Sequence, residues 1–221
     1  MRRKHPVRAT GHRWQPQVSQ NPARLRLTRV ADSWAWMRPD LLVRIAPFIL
    51  AFAVAYWLTK GAPWLGLSAG NLPIQLGFAA IASPLMFVAA LVVQARLTHR
   101  RGGLNVPSGP GDALFQAAFY VVNGPVEEAF FRGLVQGGVA AAWNAPAGFI
   151  VATAAYVLYH RLGRWTWEDT LATALVGVPL GLAYWLLPGP PSLVGISIAH
   201  IAATCGFLGP GPYLLRRLRL V

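Results

Sequence analysis

Glu127-Glu128-Ala129-Phe130-Phe131-Arg132 puts two carboxylates and a guanidinium within six residues of an otherwise apolar stretch. A charged side chain at the centre of a bilayer-spanning helix costs about 2.5–3.5 kcal/mol on insertion scales. Groups this costly face each other, face water, or do chemistry. On a helix, Glu128 and Arg132 are four apart and share a face, so they can form a charge-assisted pair. Glu127 points about 100° away from Glu128, which leaves it free to face a cavity as a general base. The competing reading is that the three charges only staple helices together.

Two histidines lie in later apolar regions. His160 follows Tyr156-Val157-Leu158-Tyr159 at the end of one of them. A lone histidine there also suits a merely interfacial position. His200 sits deeper, within Ile198-Ala199-His200-Ile201-Ala202, and Thr204 falls one turn later on the same face. A carboxylate and two imidazoles from different helices can hold and activate a water. Glu127 and one histidine would take its proton, and the other histidine with Thr204 would stabilise an oxyanion. The same Glu127, His160 and His200 set could bind a divalent zinc ion. The helical HExxH zinc signature is absent from the sequence. No cofactor is therefore expected, with zinc as the alternative.

These groups need elements to position them, and the composition says which kind. Of 221 residues, 55% are hydrophobic and 12% charged, against about 25% charged in a soluble domain. The mean hydropathy is +0.43. An ordinary soluble domain is excluded, and an all-α, polytopic membrane protein is expected. A span needs about 20 residues of helix, which gives six regions: 41–59, 72–95, 113–143, 147–160, 170–187 and 192–207. The third is too long for one straight helix. Gly124-Pro125 is expected to break it, leaving the glutamates in the first turn of the second piece. Arg44, near one end of the first region, can snorkel.

The net charge is +13, and it is unevenly placed. Residues 1–40 hold nine of the lysines and arginines and four prolines. They read as a basic, largely disordered cytoplasmic tail, followed by an integral domain over 41–221 with its core at about 112–208. With six crossings and the N-terminus inside, the inner segments are 1–40, 96–112, 160–169 and the C-terminal tail. Outside the spans, the one basic residue they leave out is Lys60. The positive-inside rule therefore places both termini in the cytoplasm, and the tail on anionic headgroups rather than nucleic acid. Cys205 is the lone cysteine and reads as a small buried apolar residue. The first apolar region begins too late for a cleavable signal peptide and reads as an anchor.

Glu127-Glu128-x-x-x-Arg132, then Tyr156-x-x-x-His160, then His200-x-x-x-Thr204, resembles the CPBP (CAAX protease and bacteriocin-processing, Abi) intramembrane proteases. That family includes the type II CAAX prenyl endopeptidases. The resemblance covers about residues 112–208. It implies a helical membrane fold and peptide-bond hydrolysis, with Glu127 and His160 activating water and His200 assisting the oxyanion. Glu128, Arg132, Tyr156 and Thr204 are implied in support. Two positions depart from the family pattern: Tyr156 stands where phenylalanine is usual, and Thr204 where asparagine is usual. Thr offers one hydroxyl donor on a shorter arm than the amide.

The expected activity is endopeptidase action on a membrane-associated or hydrophobic peptide, in the bacterial inner (plasma) membrane, with lipid as the other partner. Two alternatives belong to other classes. One is an inactive family member that binds peptides or partners, for which Thr204 is the support. The other is a proton-coupled carrier using Glu127, His160 and His200 as a relay, which would string these residues along the membrane normal.

Overall fold

A computed structural model of the chain describes residues 25–163 and 165–221. Among the described residues ten α-helices follow one another: α1 (Val30–Asp40), α2 (Ala46–Leu58), α3 (Leu72–Arg101), α4 (Pro110–Glu128), α5 (Gly138–Ala142), α6 (Ala145–Leu162), α7 (Trp167–Ala172), α8 (Ala174–Leu186), α9 (Val194–Phe207) and α10 (Pro210–Arg217). Wider π-helical turns join α1 to α2 at Leu41–Ile45 and α4 to α5 at Ala129–Gly137. Two three-residue strands, β1 (Arg26–Thr28) and β2 (Asn105–Pro107), pair in parallel with Leu27 opposite Val106. Strands this short leave no periodicity to read in the sequence.

The distribution of polarity is that of a helical membrane protein. Leu42, Leu50, Trp57, Ile81, Leu114 and Ile150 face outward, while Gln116, Asn123, Glu127, Glu128, Arg132 and Gln136 are buried. Helix α2 contributes no buried residue at all, as suits a helix against lipid. Three helical stretches are long and apolar enough to cross a hydrocarbon core: 30–58, 72–101 and 167–186. The pair α9 and α10, bent by 42°, passes the same test only when its two helices are counted together. Helix α4 carries Asp112, Glu127 and Glu128, and α6 ends on His160-Arg161. Neither is apolar enough by that measure.

Contacts between loops sort into two groups. At one end, the Leu67–Ser192 bridge joins segment 60–71 to the turn before α9, and the Tyr184 hydroxyl donates to the Trp64 carbonyl at 2.5 Å. At the other end, Arg101 holds Asp169 at 2.5 Å, Arg216 reaches the Pro107 carbonyl at 3.5 Å, and β1 pairs with β2. These are the two sets of segments that charge alone assigns to opposite sides of the membrane.

Three expectations are corrected. The helix that begins the first span starts at Val30 rather than Leu41, because Asp32 closes the Arg29 cap and Met37 is buried. The described part of the expected tail, residues 25–40, is therefore folded; residues 1–24 lie outside the described residues. The third region does not break at Gly124-Pro125: α4 runs through both. Proline and glycine are tolerated in membrane helices where neighbours cover the backbone, and here α9 lies so close that a Cβ on Gly124 would meet Ile201 at 3.0 Å. The regular helix gives way at Ala129 instead, so the glutamates occupy the last turn of α4, not the first turn of a new helix. Arg44 does not snorkel. It is buried and turned towards α4.

Candidate active site

Helices α4, α6 and α9 converge on a cavity of about 330 Å³. Glu127, His160, His200, Tyr156 and Thr204 all line it. The first three come from the third, fourth and sixth apolar regions and line the same cavity. Asn123, one turn before Glu127, and Asp40 and Arg44 from the first helical stretch add to its polar lining, as do Asp169 and Thr173. The facing wall is apolar, formed by Leu85, Met86, Ala89 and Val93 of α3 together with Phe207.

Glu128 is wholly buried and links two elements. Its Oε1 lies 2.6 Å from His200 Nδ1, and its Oε2 lies 3.4 Å from Arg132 Nε. An ionised carboxylate only accepts, so His200 Nδ1 carries the proton. That ring turns its other nitrogen, Nε2, towards Glu127 Oε2 at 3.5 Å and the Tyr156 hydroxyl at 3.5 Å. His160 is fixed by its own helix: Nδ1 donates to the Tyr156 carbonyl, one turn back, at 2.7 Å. In a neutral ring this leaves Nε2 of His160 as a proton acceptor.

Arg132 is also wholly buried, and both of its Nη groups bond to protein. Nη2 donates to the Gly177 carbonyl at 2.8 Å. Nη1 reaches Gln136 and Thr153, each at 3.3 Å. The approach of α8 depends on small residues. A Cβ on Gly177 would stand 2.8 Å from the Tyr156 ring, and one on Gly181 would stand 3.0 Å from Arg132 Nη1. The π-helical turns at Ala129–Gly137 carry Arg132 and Gln136, and irregular turns of this kind recur at functional sites.

Glu127 lines the cavity as the sequence predicts, but it is not free. Arg44 Nη1 donates to its Oε1, while Asp40 grips the other side of the same guanidinium through Nε at 2.8 Å and through Nη2. This carboxylate–guanidinium–carboxylate chain is the part of the site that sequence reading missed. Its signal was there: Asp40 and Arg44 are four apart and an ion pair at that spacing can go inward. Their position at the apparent end of a span disguised it. Asn123 was missed as well. It is buried, and its Oδ1 has no hydrogen-bond partner among the described residues.

No group of three or more His, Cys, Asp or Glu side chains is placed to hold a metal ion among the described residues. The Arg44 guanidinium lies against Glu127, and Nδ1 of each histidine meets a protein acceptor.

Residues 109–205 match a protein-family model described as "Type II CAAX prenyl endopeptidase Rce1-like". The matched stretch holds both glutamates, Arg132 and both histidines, and omits Asp40 and Arg44. No curated protein and no solved structure matches the chain.

Proposed function

From the premise that the chain belongs, over residues 109–205, to the Rce1-like family of type II CAAX prenyl endopeptidases, we propose that it is an intramembrane endopeptidase. It hydrolyses a peptide bond in a membrane-associated or hydrophobic peptide by way of an activated water. The observation that carries this reading is the meeting of Glu127, His160 and His200 around one cavity. A proton relay would spread the same groups out.

Water in the cavity gives a proton to the acceptor pair, Glu127 and Nε2 of His160, and attacks the scissile carbonyl. The carbonyl oxygen takes up the negative charge beside His200 Nε2 and the Tyr156 hydroxyl. To donate there, Nε2 must carry a proton, so His200 works as an imidazolium held between Glu127 and Glu128. The charge balance supports this. Within the ion-pair chain itself, Asp40, Glu127 and Glu128 against Arg44 and Arg132 leave one negative charge, which an imidazolium cancels. Arg132 and Glu128 do not touch the substrate; they hold the imidazole. The proton taken from water then goes to the leaving amine as the C–N bond breaks. Asn123 Oδ1 is an acceptor suited to orienting the water. Thr204 supplies a hydroxyl to the same cavity. Tyr156 brings a second hydroxyl close to His200, which offsets the shorter reach of threonine where the family carries asparagine.

The apolar wall from α3 suits an apolar peptide. The grouping of loop contacts at two ends fits six crossings, and the excess of positive residues at one end fits termini in the cytoplasm. The test is cleavage in proteoliposomes of a peptide anchored by a C-terminal prenylcysteine. The wild-type chain cuts it, and E127Q is slower by about 10²-fold or more, the usual contribution of a general base. Equal rates would remove Glu127 from this role.

A further inference from the structure

The residues that match the family do not complete the site. One charged pair in the cavity comes from the helical stretch 30–58, well before the matched residues 109–205. Asp40 and Arg44 are 6% and 8% exposed, and both line the cavity. The guanidinium spends Nε and Nη2 on Asp40, a bidentate grip that fixes the plane of the fork. It extends Nη1 to Oε1 of Glu127. A carboxylate has a broad, two-fold terminal torsion, so Glu127 needs such a hold to keep one oxygen aimed. With Oε1 taken by Arg44, the remaining oxygen, Oε2, is the one near His200.

The first stretch is built to bring Arg44 there. π-helical turns at Leu41–Ile45 carry it inward. On either side the stretch is moored to the core. Asp112 of α4 accepts from Thr28 and Ser33, each at 2.6 Å, and Phe48 stacks on Phe130 with ring centres 4.0 Å apart. A helix that served only to anchor the chain in lipid would not need a buried ion pair directed at a neighbouring helix, since such charges are costly there.

We infer that Arg44, pinned by Asp40, is a positioning residue for Glu127, and that the N-terminal helix is a working part of the active site. This inference rests on the hydrolase reading above. It gives Glu127 a defined division of labour, with one oxygen held by Arg44 and the other turned to His200 and the cavity.

The test compares wild type, R44Q, R44K and E127Q in proteoliposomes with the prenylcysteine-anchored peptide, alongside thermal melting in detergent. Misaiming a reacting group by about 1 Å can cost roughly 10²-fold. R44Q is therefore expected to lose about that much in kcat with KM nearly unchanged, and R44K to recover part of it, since an ammonium can still hold one carboxylate oxygen. Wild-type kcat in R44Q would overturn the inference, as would a loss explained wholly by a lowered melting temperature that R44K does not repair. If E127Q cuts as fast as wild type, the hydrolase reading falls and this inference falls with it. If E127Q is inactive and R44Q is fully active, this inference falls alone.

Discussion

Glu127 and Glu128 are neighbours in sequence with opposite tasks, and their surroundings assign them. Glu127 lines the cavity beside His160 and His200. Glu128 sees no cavity and joins His200 to Arg132. Removing either charge therefore fails in different ways. E127Q keeps size and most contacts, so it is expected to lose activity while its melting temperature in detergent stays near that of wild type. R132A takes the guanidinium away from Glu128 and from the Gly177 carbonyl. A broken buried pair costs roughly 3–5 kcal/mol, so this variant should melt at a clearly lower temperature whatever its activity. An unchanged melt would mean that Arg132 is dispensable to the fold. The glutamates and histidines were legible in the sequence because a charge in an apolar run is expensive and so stands out. Arg44 was just as costly but lay near an end, where snorkelling offers a cheap explanation. Its true partner, Glu127, is 83 residues away, and spacing on one helix cannot reveal such a contact.

At the scale of elements, what matters is how closely α8 and α9 press on α4 and α6. Gly177 lets α8 approach Tyr156 and offers its carbonyl to Arg132. G177A would place a methyl 2.8 Å from the Tyr156 ring. Overpacking of this kind typically costs about 1–3 kcal/mol. It would also move the hydroxyl beside His200, so both melting temperature and cleavage rate are expected to fall. A variant as stable and active as wild type would show that the approach has slack. The apolar regions that became α3, α6, α8 and α9 could be read from hydropathy and length, although α3 runs six residues past 95 to Arg101 and the fifth region is shared between α7 and α8. The third region could not. Gly124-Pro125 gave a strong breaking signal, but neighbouring helices cover that backbone, while the π-helical turns at Ala129–Gly137 have no signature in residue type. The β1–β2 pair joins segments about 80 residues apart through three residues each, beneath what alternation can detect.

For the whole molecule, charge and contacts give the same division into two ends. Positive residues gather in segments 25–40, 96–112, 160–169 and the C-terminal tail, and these segments touch one another. Segments 60–71 and 188–192 meet at the other end. In a chain whose Cys205 is replaced, a membrane-impermeant maleimide added to intact cells should label S68C and not S108C. The reverse pattern, or labelling of both, would contradict six crossings with the termini inside.

The central claim is that this cavity hydrolyses peptide bonds through Glu127. Mass spectrometry of peptide termini in membranes from cells carrying the wild-type or the E127Q chain tests it without assuming a substrate. New termini should appear with the wild-type chain and be missing with E127Q. Identical sets of termini in the two samples would contradict the account.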